Sequence, residues 1–244
     1  MANNVGPYEK VRPQQSLLFR VVAFFSRLQM VYVINRLENA RVVIIIFVLT
    51  AATAALGIIT VAAYLAKLPL LFSPLAPSAF ILFYTAMAVT ASPRSVLLSH
   101  GLGVAIGILS LRLCVLLWPH SGLLDPQVMN WHRIVVIAIS TGAMAVLMIL
   151  MRCIHPPAAA TALIAALGYF ATPIQILGLL AAVVFLILEA LFFIRLLGGI
   201  PYPFWRSDPR LMRTYRPLVK GIKTKGNFWQ EVAAKIFRQR SIDP

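Results

Sequence analysis

The sequence predicts an all-α polytopic membrane protein of about six transmembrane segments, arranged as two inverted three-segment repeats that each contain a proline-broken half-helix. Three observations carry that expectation. Hydrophobic residues make up 60% of the chain against 12% charged, a balance that excludes a soluble domain. Six apolar stretches fill residues 42–194. The second and fifth are interrupted, by Pro69, Pro74 and Pro77 and by Pro156-Pro157. Proline breaks a helix interior but suits a first turn, so each reads as a helix that starts within the bilayer.

Residues 1–41 form a basic N-terminal region, with six Lys or Arg against two acids. Within it, Gln15 to Leu37 sets Leu17, Leu18, Val21, Phe24, Phe25, Leu28 and Val31 near helical spacing among Arg20, Arg27 and Arg36. That pattern suits a helix lying in the headgroup layer. The membrane domain, residues 42–195, opens with Val42 to Ala66 and Leu68 to Ser92, each 25 residues without a charge. Both exceed the roughly 20 residues that a spanning helix needs. The first is expected to act as its own insertion signal, because no cleavable leader precedes it. In the second, a helix is expected to begin at Ser78, after the last proline. Ser95 to Trp118, Ile134 to Met151, His155 to Phe170 and Pro173 to Ile194 complete the set. The fifth, at 16 residues, gives about 24 Å of helix against a core of about 30 Å. Residues 196–244 then form a basic tail, ten Lys or Arg against three acids, with a second surface helix expected over Asn227 to Arg240.

Basic residues resist translocation, so both termini are expected in the cytoplasm of a bacterium whose inner membrane holds the protein. In a six-pass topology Arg94 and Arg152 lie in short cytoplasmic turns, and the external loop Pro119 to Trp131 carries no Lys or Arg. A four-pass topology, with 68–92 and 155–170 as re-entrant loops, puts both arginines outside. The net charge of +15 reads as topology and attraction to anionic lipid, not as nucleic-acid binding. Cys114 and Cys153 fall in or beside apolar spans and read as packing residues, with no metal spacing around them. No cofactor is expected. Gly101, Gly103 and Gly107 allow close helix packing within the chain or in a homo-oligomer.

The candidate site lies at the two helix starts. A helix beginning in hydrocarbon leaves amide protons that need a ligand or a protein partner, and its positive end suits a small anion. The second start supplies His155, Pro156, Pro157, Ala158 and Thr161, and the first supplies Ser78 and Ala79. His155 can cap free amides, hold a proton or donate to an anion. Ser78 can bind or cap, and Thr161 can line the site or bond back to its own helix. His100 and Glu189 fall at similar depths, about 8 and 9 Å from the cytoplasmic ends of their spans, so the two can meet as a proton relay. Arg94 can steer anions at the mouth or anchor the turn. Without paired carboxylates or a nucleophile-base arrangement, no enzyme is expected.

Three blocks carry a resemblance to a known family. They are Pro74 to Phe83, Pro93-Arg94-Ser95-Val96 through His100, and His155-Pro156-Pro157-Ala158-Ala159-Ala160-Thr161-Ala162-Leu163. In order and spacing over roughly residues 40–195 the chain resembles the HPP family of integral membrane proteins. The resemblance implies a membrane domain usually described with four helices, and nitrite transport as in cyanobacterial and chloroplast members. Ala76 and Ala159 stand where the family pattern has Gly. The reading is therefore a transporter or channel for a small inorganic anion, nitrite by resemblance. The alternative is a non-transporting scaffold or sensor whose basic tails bind partners or anionic lipid.

Overall fold

The computed structural model describes residues 24–36 and 39–211, which are helical with no strand among them. A short helix α1 (Met30–Arg36) precedes α2 (Ala40–Ala66), which Lys67 ends in the left-handed conformation at φ 52°. Residues 24–28 are also helical, with Phe24, Phe25 and Leu28 exposed. The remainder of that expected helix, 15–23, and the expected tail helix over Asn227 to Arg240 lie outside the described residues.

α3 (Leu75–Tyr84) starts three residues earlier than the sequence suggests. Pro77 falls in its first turn, where a missing amide proton is not needed. It also stops early, and the chain turns through a 3-10 turn at Val89–Ala91 before α4 (Pro93–Leu117). Ser92 caps α4, its Oγ accepting from the Ser95 amide at 3.3 Å. Asn130 does the same for α5 (Trp131–Leu150), accepting from the Arg133 amide at 3.0 Å. α6 (Pro157–Ala166) is short, and α7 (Pro173–Phe192) runs on into a π turn, Phe193–Leu197.

Four of these helices are long and apolar enough to cross a membrane: α2, α4, α5, and α7 with its π turn. α3 and α6 have 10 residues each, about 15 Å at 1.5 Å per residue. Neither covers a hydrocarbon core alone. Of the six apolar stretches, then, four are spanning-length helices and two are half-length helices extended by non-helical chain.

α6 packs deepest, against α4, and glycine makes the approach possible. A Cβ at Gly103 would stand 2.7 Å from the Ala158 carbonyl oxygen, and one at Gly107 would overlap the Ala162 oxygen and the Ala165 side chain. Gly101, on another face, meets nothing within 4 Å. Cys114 and Cys153 are both buried free thiols.

Two sets of contacts gather the ends of these segments. In one, the Arg94 amide donates to Trp205 at 3.0 Å, its guanidinium donates to Arg152 at 2.8 Å and Met151 at 3.0 Å, and the Val31 amide donates to Gly198 at 3.2 Å. In the other, Phe72 meets Phe170 at 5.5 Å, and Gly168 faces Leu111, Leu123 and Leu124. The broken segment 68–92 starts at the second set and ends at the first. The broken segment 152–172 runs the opposite way.

Candidate functional site

Ser78, His100, His155 and Thr161 are all 0% exposed, and they meet in one chain of hydrogen bonds. Ser78 comes from the first turn of α3, His100 from the second turn of α4, His155 from the turn before α6, and Thr161 from α6 itself. The close α4 and α6 packing brings His100 Nδ1 to 2.7 Å from Thr161 Oγ1. On its other side His100 Nε2 lies 3.1 Å from Ser78 Oγ, which lies 3.0 Å from His155 Nε2. His155 Nδ1 is 2.8 Å from the Thr90 carbonyl, and Ser78 Oγ also lies 2.8 Å from the Pro74 carbonyl. The two rings stand 5.3 Å apart, tilted by 58°.

The donors can be assigned by elimination. A carbonyl only accepts, so His155 carries a proton on Nδ1 and donates it to Thr90. In a neutral ring Nε2 is then an acceptor, and Ser78 donates to it. Ser78 Oγ in turn accepts from His100 Nε2–H, and His100 Nδ1 accepts from the Thr161 hydroxyl. Both rings and both hydroxyls are then satisfied and these bonds all point the same way, with the Ser78 proton given to His155 and none left for the Pro74 carbonyl. A second arrangement is equally complete. With one more proton, on His155 Nε2, both rings donate to Ser78 Oγ, and the Ser78 hydroxyl turns to the Pro74 carbonyl. One rotating hydroxyl thus accommodates a proton arriving at or leaving His155.

Most of the amides at the two helix starts are already bonded within their own segments. Pro156 and Pro157 have no amide proton. The Ala158 and Ala159 amides donate to His155 and Pro156 carbonyls, both at 3.0 Å. At α3 the Leu75 amide donates to Phe72 at 3.0 Å and the Ser78 amide to Pro74 at 3.2 Å. These short-range bonds use the first amides of α6 and two of those at α3, so the polar groups that converge between the two starts are mainly side chains. Ala79 and Ala158 are buried packing residues and bring no polar side chain. Thr161 lines the chain, and Ser78 both bonds back to α3 and joins it.

One further expectation changes, and one of the two readings of Arg94 gains support. Glu189 is not the partner of His100, whose ring nitrogens meet Ser78 and Thr161; the buried Glu189 carboxylate has no hydrogen-bond partner on either oxygen among the described residues. Arg94, half-buried, spends its guanidinium on the carbonyls that end α5, which is an anchoring role.

Sequence reasoning missed three contributors. Thr90 acts through its backbone, which no residue pattern announces. Tyr202, fully buried, donates from its hydroxyl to the Ala91 carbonyl at 2.5 Å, next to Thr90. Arg133 is fully buried and donates to four carbonyls: Val128 at 3.2 Å, Ala166 at 3.1 Å, and Leu123 and Asp125 at 2.7 Å each. Its position three residues after the capping Asn130 was the available signal. Among the described residues no group of three His, Cys, Asp or Glu could hold a metal ion.

Compared with protein families, the chain matches the model for HPP, transmembrane region, over residues 37–203. That match covers more than half of the 244 residues and contains every member of the buried chain. No curated protein and no solved structure matches.

Proposed function

This chain belongs to the HPP transmembrane family, and from that premise we propose that it transports a small inorganic anion, nitrite by family resemblance, together with a proton across a bacterial inner membrane. The observation that carries the reading is the chain from Thr161 through His100 and Ser78 to His155, drawn from both broken segments and from α4, and sealed from solvent. Buried ionisable groups in a bilayer are costly and usually mark a pathway for ions or protons. Here the added proton on His155 creates a positive charge in a low-dielectric surrounding. An anion beside it offsets that cost, and each stabilises the other's stay. Departure of the anion favours departure of the proton, and the Ser78 hydroxyl turns back to His155.

A six-crossing topology in two inverted halves suits this role, because a site at the junction of broken segments can face either side by a shift of one half against the other. The opposite directions of 68–92 and 152–172 between the two contact sets support it. Cytoplasmic termini follow from the charge bias, and the basic tails suit anionic lipid.

Flux in proteoliposomes tests the reading, with nitrite, nitrate, formate and chloride each offered with and without a pH gradient. Nitrite uptake accelerated by an inward proton gradient, and abolished in a folded His155→Ala variant, is the expected result. Absence of flux with all four ions removes the transport reading. Truncation after Leu211 separates it from the scaffold alternative, which needs the basic tail: transport should survive the cut and partner or lipid recruitment should not.

A further inference from the structure

Glu189 is the one acidic residue inside the apolar stretches; the other six, at positions 9, 38, 125, 208, 231 and 243, lie outside them. Its residue is 8% exposed, and both carboxylate oxygens are buried without a hydrogen-bond partner among the described residues. On α7 it shares a helix face with Gly178, Ala182 and Phe193 by the three- and four-residue spacing. Gly178 lies against the Pro69 carbonyl, and Phe193 meets Phe83 edge-on at 6.1 Å. The face therefore looks onto the first broken segment. One turn later α7 loosens into the π turn, a feature that recurs at functional sites.

A bare carboxylate without partners in such a place is severely penalised. Among the described residues, the elements packed on α7 do not supply a counter-charge. Arg41, Tyr64 and Tyr84, on α2 and α3, are exposed at the surface. On α4, Arg94 is held by the Met151 and Arg152 carbonyls and His100 by Ser78 and Thr161. Arg112 and Cys114 lie more than three turns further along α4 than His100. On its own element, Arg195 donates from Nε to the Tyr202 carbonyl at 2.6 Å and stacks on Phe204. A metal cation would need several oxygens, and the neighbours on its face, Gly178, Ala182 and Phe193, bring no side-chain oxygen.

We propose that Glu189 is a proton-binding site of the membrane domain, separate from the histidine chain and standing whether or not nitrite is the cargo. The carboxylate takes up one proton to become a neutral carboxylic acid, and gives it up when the neighbouring broken segment moves and admits water.

Infrared spectroscopy of the purified full-length protein in liposomes tests this, because a protonated carboxyl has a carbonyl stretch distinct from the ionised group and no other acidic residue lies in an apolar stretch. The expected result is a protonated-carboxyl band at neutral pH that moves on exchange into deuterated water and is lost in Glu189→Gln. If Glu189→Gln does not fold, Glu189→Asp serves instead, and the band should shift in frequency. Wild-type protein without the band at neutral pH, or a band unchanged by both substitutions, overturns the proposal. Because the readout involves no transport, failure of nitrite flux leaves the result standing, and failure here leaves the flux result standing.

Discussion

Arg133 and the chain from His100 through Ser78 to His155 are both sealed from solvent, yet they are satisfied in opposite ways. Arg133 is a fixed donor facing four carbonyls that can only accept. No proton can move there and no bond can reverse, so the cluster can only hold. It fastens the loop residues Leu123, Asp125 and Val128 to the last turn of α6. In the histidine chain each member except the terminal carbonyls can both donate and accept, so the same number of bonds survives when a proton is added. The contrast teaches that burial and complete hydrogen bonding do not by themselves mark a structural cluster. Reversibility of the partners separates a clamp from a relay.

The comparison breaks most severely at Arg133. Arg133→Met keeps the bulk but strips four carbonyls of this donor, and the two on buried residues, Leu123 and Ala166, cost about 1–3 kcal/mol each if left unsatisfied. The expected outcome is loss of most folded protein from the membrane fraction, read by monodispersity after detergent extraction. Arg133→Lys should recover only part, since an ammonium is a compact point charge without the guanidinium fork. Any folded remainder should transport at the normal rate per molecule. A well-folded Arg133→Met protein with altered flux would instead make Arg133 part of the pathway.

The relay side predicts the reverse pattern. Ser78→Ala removes the one atom that both Nε2 nitrogens share. We expect a melting loss of about 1–3 kcal/mol, with proton-driven flux falling about 100- to 10,000-fold, the range typical of a lost proton-transfer group. Flux and melting temperature measured on the same reconstituted sample decide it. Equal flux per folded molecule would return Ser78 to a purely structural role.

How much of this was legible in the sequence depends on the kind of interaction. Hydropathy and proline placement announce where the chain is apolar and where a helix must begin, because those effects are local. They therefore located Ser78, His100, His155 and Thr161 individually. Which of these meet depends on which helices pack, and depth alone left His100 free to face Glu189. The approach of α4 to α6 decides it, through Gly103 and Gly107, and glycine spacing does not name its partner helix. At α6 the expected free amides are reduced for a local reason that the sequence did contain: two prolines remove two donors, and 3-10 bonds to His155 and Pro156 use the next two. Arg133 escaped notice because it sits at a span boundary, where an arginine ordinarily reaches for headgroups.

The mildest effect should come from Tyr202, which supports the relay without joining it. Its hydroxyl holds the Ala91 carbonyl while the adjacent Thr90 carbonyl receives His155. Burial pushes the Tyr202 phenol well above its usual range, so the folded protein favours the neutral, donating form. The sign follows from that: this contribution is fully present at every pH below the ordinary phenol value of about 10 and declines only above it. Tyr202→Phe should therefore cost about 0.5–1.5 kcal/mol, as for a typical hydrogen bond, and the melting difference from wild type should be constant between neutral and mildly acidic pH. Flux should fall only slightly, with its pH dependence unmoved, because the protons that titrate sit elsewhere. A Tyr202→Phe protein whose flux profile shifts along the pH axis would show that the 3-10 turn positions His155 tightly enough to set its proton affinity, and the clamp and the relay would then be one device.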